Sequence, residues 1–124
     1  MSEPMKKVLI VEDDKDHLKA LQIRLSAAGY DALWASDGLQ AVAAARREKP
    51  DVIILDLGLP GGDGYQVLQR LKLLAPTARI PIIVLSARDP AVNKARSLEA
   101  GAVAFFQKPA DSDALLKTIH QNCA

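Results

Sequence analysis

The 124-residue chain has a single cysteine, Cys123, beside its C-terminus. That scarcity excludes an internal disulfide framework, fits a reducing compartment and leaves Cys123 as a thiol at a fraying chain end. No apolar run approaches the length of a membrane span, and behind the lysines of the N-terminal MSEPMKK no apolar stretch follows that could serve as a secretion signal. Charge of one sign is lacking too: 16 Lys and Arg stand against 15 Asp and Glu, a formal balance of +1. Bulk electrostatics therefore give no reason to expect nucleic acid or acidic lipid as a partner. Internal repeats, low-complexity tracts and linkers are absent as well. What remains is one cytoplasmic globular domain spanning residues 1–124, 49% hydrophobic and long enough for one core.

What is present is a regular alternation. Short apolar runs at 7–11 (KVLIV), 31–35 (DALWA), 51–56 (DVIILD), 80–86 (IPIIVLS) and 102–106 (AVAFF) predict strands. Amphipathic segments at 14–28, 38–48, 63–74, 90–100 and 111–121 predict helices, the first carrying Leu18, Leu21, Leu25 and Ala28 at helical spacing. Gly29 and Gly101 follow helices, Pro50 ends one, and Asp111 is an expected N-cap. Strands joined through helices point to a doubly wound α/β fold, a five-stranded parallel sheet covered on both faces. VLIV and VIIL, apolar without alternation, suit strands buried on both sides. Ligands of such sheets bind at the carboxyl ends of the strands.

At that end of the first strand the turn reads EDDKD, with no glycine to cradle a phosphate. The third strand ends in Asp56. With those strands adjacent, Asp13 and Asp56 come close together, which costs several kcal/mol (~4 at 4 Å) unless a cation or proton intervenes. Asp14 and Asp16 have an ordinary duty as helix caps and first-turn acids. Asp13 and Asp56 do not, and oxygen-only ligands with no His or Cys nearby suit a hard divalent ion, Mg²⁺ above all. His17 and His120 are isolated and are expected at the surface.

From KKVLIVEDD through DVIILDLGLPGGDGYQVL and IPIIVLSA to AGAVAFFQKP, nearly the whole chain resembles the receiver domain of two-component response regulators. The resemblance implies a flavodoxin-like (βα)5 fold with strand order 2-1-3-4-5. It implies Asp56 as phosphoacceptor and metal ligand, Glu12 and Asp13 as the acidic pair holding Mg²⁺, and the Gly58 carbonyl as a further ligand. Ser86 resembles the hydroxyl that bonds the phosphoryl group, Lys108 the amine that neutralises it, and Phe105 the switch aromatic. Pro109 restricts the loop that aims Lys108, through an X-Pro bond that is cis in the family. Gly58 and Arg88, two beyond Asp56 and Ser86, fall where the family tunes phosphoryl lifetime; Arg88 either folds over the phosphoryl oxygens or points into solvent. Gly61, Gly62 and Gly64 supply turn conformations beside Asp56.

The chain departs from the commonest family pattern at three places: Ser86 for threonine, Phe105 for tyrosine and Ala110 for phenylalanine. The phosphorylation chemistry survives all three, while the form of the output stays open. The implied partners are a histidine kinase or phosphotransfer protein and a downstream protein target, with no nucleic acid or membrane and no output domain. The implied state is a monomer or a phosphorylation-dependent dimer, and not an enzyme beyond its own phosphorylation and hydrolysis. An FMN carrier would share the sheet but needs a Ser/Thr/Gly-rich first loop. A haloacid-dehalogenase-type phosphatase needs a late acidic pair and a cap. A receiver-fold adaptor indifferent to phosphorylation remains an alternative.

Overall fold

The computed structural model describes residues 5–59 and 63–123, so the expectations for Gly61 and Gly62 lie outside the described residues. Strands β1 (Lys7–Val11), β2 (Asp31–Ala35), β3 (Val52–Leu55), β4 (Ile82–Ser86) and β5 (Ala104–Gln107) alternate with helices α1 (Lys15–Ala27), α2 (Gly38–Glu48), α3 (Gly64–Leu73), α4 (Pro90–Glu99) and α5 (Ser112–Asn122). All pairings are parallel, in the order β2-β1-β3-β4-β5 that the family resemblance implies.

Each helix starts behind an aspartate whose side chain accepts a hydrogen bond from a first-turn amide: Asp14, Asp37, Asp63, Asp89 and Asp111. Such a cap is worth about 1 kcal/mol, so these acids need no further explanation. Helix ends use positive φ: Gly29 at 91° after α1 and Gly101 at 110° after α4. Helix α2 stops at Glu48, with Lys49 in the left-handed region at φ 48°. The stop thus falls before Pro50, which disfavours right-handed helix at the residue preceding it.

Strand faces alternate between two apolar layers. Leu9, Val11, Ile53, Leu55, Ile82 and Val84 pack with Ala41, Ala44 and Ala45 of α2 and Leu68 and Leu71 of α3. Val8, Ile10, Val52, Ile54, Ile83 and Leu85 pack with Leu18, Leu21 and Leu25 of α1 and Leu115 and Ile119 of α5. Because both faces are covered, the central strands are apolar at every position. Cys123 belongs to the second layer: it is 8% exposed, and its amide donates to the His120 carbonyl. The expected frayed thiol is instead buried, because α5 carries its last turn onto the sheet. Burial also pushes the thiol pKa above its ordinary value. Among the described residues no helix is long and apolar enough to cross a membrane.

Candidate functional site

Parallel register builds the site. Val11 of β1 pairs with Leu55 of β3, so the residues that follow leave the sheet side by side. The Asp56 amide donates to the Val11 carbonyl at 3.1 Å and the Glu12 amide to the Ala35 carbonyl at 3.0 Å. Both backbones are pinned where their carboxylates diverge from the strands. Carboxylate oxygens of Glu12, Asp13 and Asp56 all lie within 4.8 Å of one another. Glu12 is 2% exposed, Asp56 half-buried and Asp13 exposed, a gradient running from the core to open water.

β4 and β5 supply the opposing groups. Ser86, 1% exposed, pairs with Gln107, and the Lys108 amide donates to the Ser86 carbonyl at 2.8 Å. From there Lys108 reaches back over the acids: its Nζ donates to Glu12 Oε1 at 2.6 Å and to Asp56 Oδ2 at 3.1 Å. The Lys108–Pro109 bond is cis. Burial alone would lower the Lys108 pKa, but its bonds to Glu12 and Asp56 outweigh that and raise it. Burial likewise works to raise Asp56, and the hydrogen bonds from the Gly58 amide and Lys108 prevail, leaving the carboxyl below its ordinary range. The arrangement thus keeps a partly buried carboxylate ionised and available at neutral pH.

Around this centre the remaining predicted residues fall into place with differences. Gly58 offers its amide to Asp56 Oδ1 at 3.1 Å. Ser86 Oγ accepts from the Arg88 amide at 3.1 Å. Phe105, paired with Val84, is partly buried against the layer under α2 and α3. Arg88 takes neither expected course: its guanidinium donates to the Leu57 carbonyl at 3.3 Å and to Asp63 at 3.5 Å, lying across the loop between β3 and α3. Carbonyl and carboxylate acceptors on that loop outcompete open water.

His120 is exposed as expected. His17 is not isolated: its Nδ1 contacts Glu12 Oε1, since the first turn of α1 folds back over the end of β1. Two further residues escaped the sequence reading. Trp34 of β2 donates from Nε1 to the Glu12 carbonyl at 3.0 Å, and Tyr65 of α3 donates its hydroxyl to Asn93 Oδ1 of α4 at 2.6 Å. Strand pairing brings Trp34 beside β1, a signal present only once the strand order is known.

A parallel sheet of this order, with acids at the ends of β1 and β3, a hydroxyl at the end of β4 and a lysine after β5, defines a class of phosphorylation-dependent switches. The chain belongs to the response regulator receiver domain family, whose profile matches residues 8–120. It is 37% identical over 116 residues to the protein PilH of Pseudomonas aeruginosa, covering 94% of this chain and 96% of PilH. Against the alkaline phosphatase synthesis transcriptional regulatory protein PhoP of Bacillus subtilis it is 40% identical over 104 residues, covering 84% of this chain but only 42% of PhoP. Among solved structures it is similar to the receiver domain of a Pseudomonas aeruginosa sensor histidine kinase, which carries a magnesium ion coordinated in the active site cleft. That match has a TM-score of 0.86 and 30% identity, covering 97% of this chain and 98% of the other. The domain is a phosphorylation-dependent switch of two-component signalling.

Proposed function

We propose that Asp56 is the phosphoacceptor of this switch. The observation that carries the reading is Lys108 Nζ bridging Glu12 and Asp56 at 2.6 and 3.1 Å within a set of three mutually close carboxylates. Capping accounts for five other aspartates and leaves these acids without a structural duty. The all-oxygen donor set, with one carboxylate oxygen from each of three acids within 4.8 Å of the others, fits Mg²⁺. Glu12, Asp13, Asp56 and the Gly58 carbonyl would hold it. Once bound, magnesium supplies positive charge to the oxygens of the transferring group.

The chain's own groups do the rest. An Asp56 carboxylate oxygen attacks phosphorus, forming the acyl phosphate as the bond to the donor's nitrogen or oxygen breaks. Lys108 exchanges carboxylate contacts for a phosphoryl oxygen, and Ser86 turns its hydroxyl from the Arg88 amide towards the new group. Phe105, on the neighbouring strand, repacks with it. The donor is a histidine kinase or phosphotransfer protein, and the reader is a downstream protein. The domain acts in the cytoplasm without nucleic-acid or membrane contact, as a monomer or a phosphorylation-dependent dimer. Residues 1–124 form one receiver domain whose catalysis is confined to its own phosphorylation and hydrolysis.

Acetyl phosphate with Mg²⁺ should add one base-labile phosphoryl group, read by intact mass, and Asp56→Asn should abolish it. Equal phosphorylation of that variant would place the acceptor elsewhere.

A further inference from the structure

Glu12 is the one buried charged side chain among the described residues, at 2% exposure. A buried carboxylate persists only when donors saturate it. Its Oε2 accepts from the Asp13 amide at 3.1 Å. Oε1 takes two donors: Lys108 Nζ at 2.6 Å and His17 Nδ1. Carboxylate oxygens offer lone pairs only, so the His17 Nδ1 carries the hydrogen. The backbone that carries the ring is itself held, because the His17 amide donates to the N-cap Asp14 at 3.2 Å. It also lines a small groove between α1 and α5 together with Pro109, the residue after Lys108.

Two donors on one oxygen is more than the resting state requires. Lys108 is shared between Glu12 and Asp56, and phosphorylation replaces the single carboxylate charge of Asp56 with close to two on the phosphoryl oxygens, which draw the ammonium away from Glu12. A Glu12 that depended on Lys108 alone would then stand buried without a side-chain partner. We propose that His17 is a positioning residue for phosphoryl acceptance: it keeps Glu12 paired and aimed from the α1 side, so that Lys108 is free to move to the phosphoryl group. The inference rests on Asp56 as the acceptor. It gives His17 two effects, one on the metal through the orientation of Glu12 and one on the reaction through the release of Lys108.

The test compares His17→Leu and His17→Asn with wild type. Asn places an amide N–H near the position of Nδ1; Leu fills similar space with no donor. Mg²⁺ affinity is read by fluorescence of Trp34, the only tryptophan, whose indole bonds the Glu12 carbonyl. The rate of phosphorylation by acetyl phosphate is read at saturating Mg²⁺. His17→Leu should weaken Mg²⁺ and slow phosphorylation, each by about tenfold, as loss of a partner that orients a metal ligand does. His17→Asn should restore both. A Leu variant that matches wild type in either measurement, or an Asn variant that restores neither, overturns the role of His17. A wild type that takes no phosphoryl group on Asp56 instead sinks the acceptor assignment, while the Mg²⁺ comparison still reads the grip of His17 on Glu12.

Discussion

Helices α3 and α4 are each ten residues long and each follows a strand that delivers a site residue, Asp56 from β3 and Ser86 from β4. They are held to the sheet by different forces. α3 buries Gly64, Tyr65, Val67, Leu68 and Leu71. α4 buries Ser97 alone, and that hydroxyl finds no hydrogen-bond partner, while Val92 and Leu98 stand exposed at 65% and 42%. A polar latch to α3 ties α4 in place: the Tyr65 hydroxyl bonds Asn93, and the Arg96 guanidinium carbon sits 3.7 Å from the Tyr65 ring centroid. Fully burying a large apolar side chain contributes ~1.5–3 kcal/mol, whereas a hydrogen bond or cation–π contact contributes ~1. The contrast teaches where a switch has room to move. The Asp56 side is built on a helix fixed by apolar burial and the Ser86 side on one that a modest free energy can displace.

The contrast can be broken most severely from the α3 side. Leu68→Ala opens a cavity in a fully buried position and should cost ~3 kcal/mol in urea unfolding, whereas Leu98→Ala on α4 should cost within ~0.5. Equal losses would erase the difference between the helices. Gly64→Ala should cost ~2 kcal/mol and slow phosphorylation, because its Cβ would lie 2.4 Å from Leu57 Cα and 2.8 Å from the Asp56 carbonyl, backbone that cannot yield without moving the acceptor loop. Tyr65→Phe keeps the ring under Arg96 but removes the bond to Asn93. It should cost ~1 kcal/mol and speed amide exchange in α4 more than in α3.

The smallest effect is electrostatic. The Asp56 carboxyl lies below its ordinary 3.8 in the folded protein, so its contribution is complete above that value and is lost as pH falls through the folded one. In Mg²⁺-free buffer, wild type should therefore lose stability more steeply than Asp56→Asn as pH falls from about 5 to 3. Parallel acid limbs would show that the Gly58 amide and Lys108 do not hold this carboxylate in its ionised form.

The parallel sheet and the pairing of Asp13 with Asp56 were legible because centrally buried strands carry unbroken apolar runs, and an acid ending such a run has no capping duty; the strand order and the places of Glu12 and Lys108 were legible only through the family resemblance. Element boundaries were less so. β4 begins at Ile82 and not at 80, since Pro81 has no amide and the Ile80 amide is spent on the Thr77 carbonyl in a turn. β5 covers Ala104–Gln107 and not 102–106, because the Ala102 amide closes the end of α4 onto Ser97; hydrophobicity cannot separate those residues. His17 stayed hidden because no periodicity joins it to Glu12 across a strand end and a helix start. Cys123 and the Tyr65–Asn93 bond depend on helix packing, which composition does not carry.

The central claim is that a phosphoryl group on Asp56 is read through β4 and α4 while α3 stays fixed. Amide NMR spectra of the free and the beryllofluoride–Mg²⁺ forms, recorded for wild type and Ser86→Ala, test it most directly. The account predicts large shifts over Ser86–Glu99 and at Phe105, small ones at Leu68 and Leu71, and loss of most of the α4 response in Ser86→Ala despite continued binding at Asp56. Equal shifts in α3 and α4, or an α4 response that survives the loss of the Ser86 hydroxyl, would contradict it.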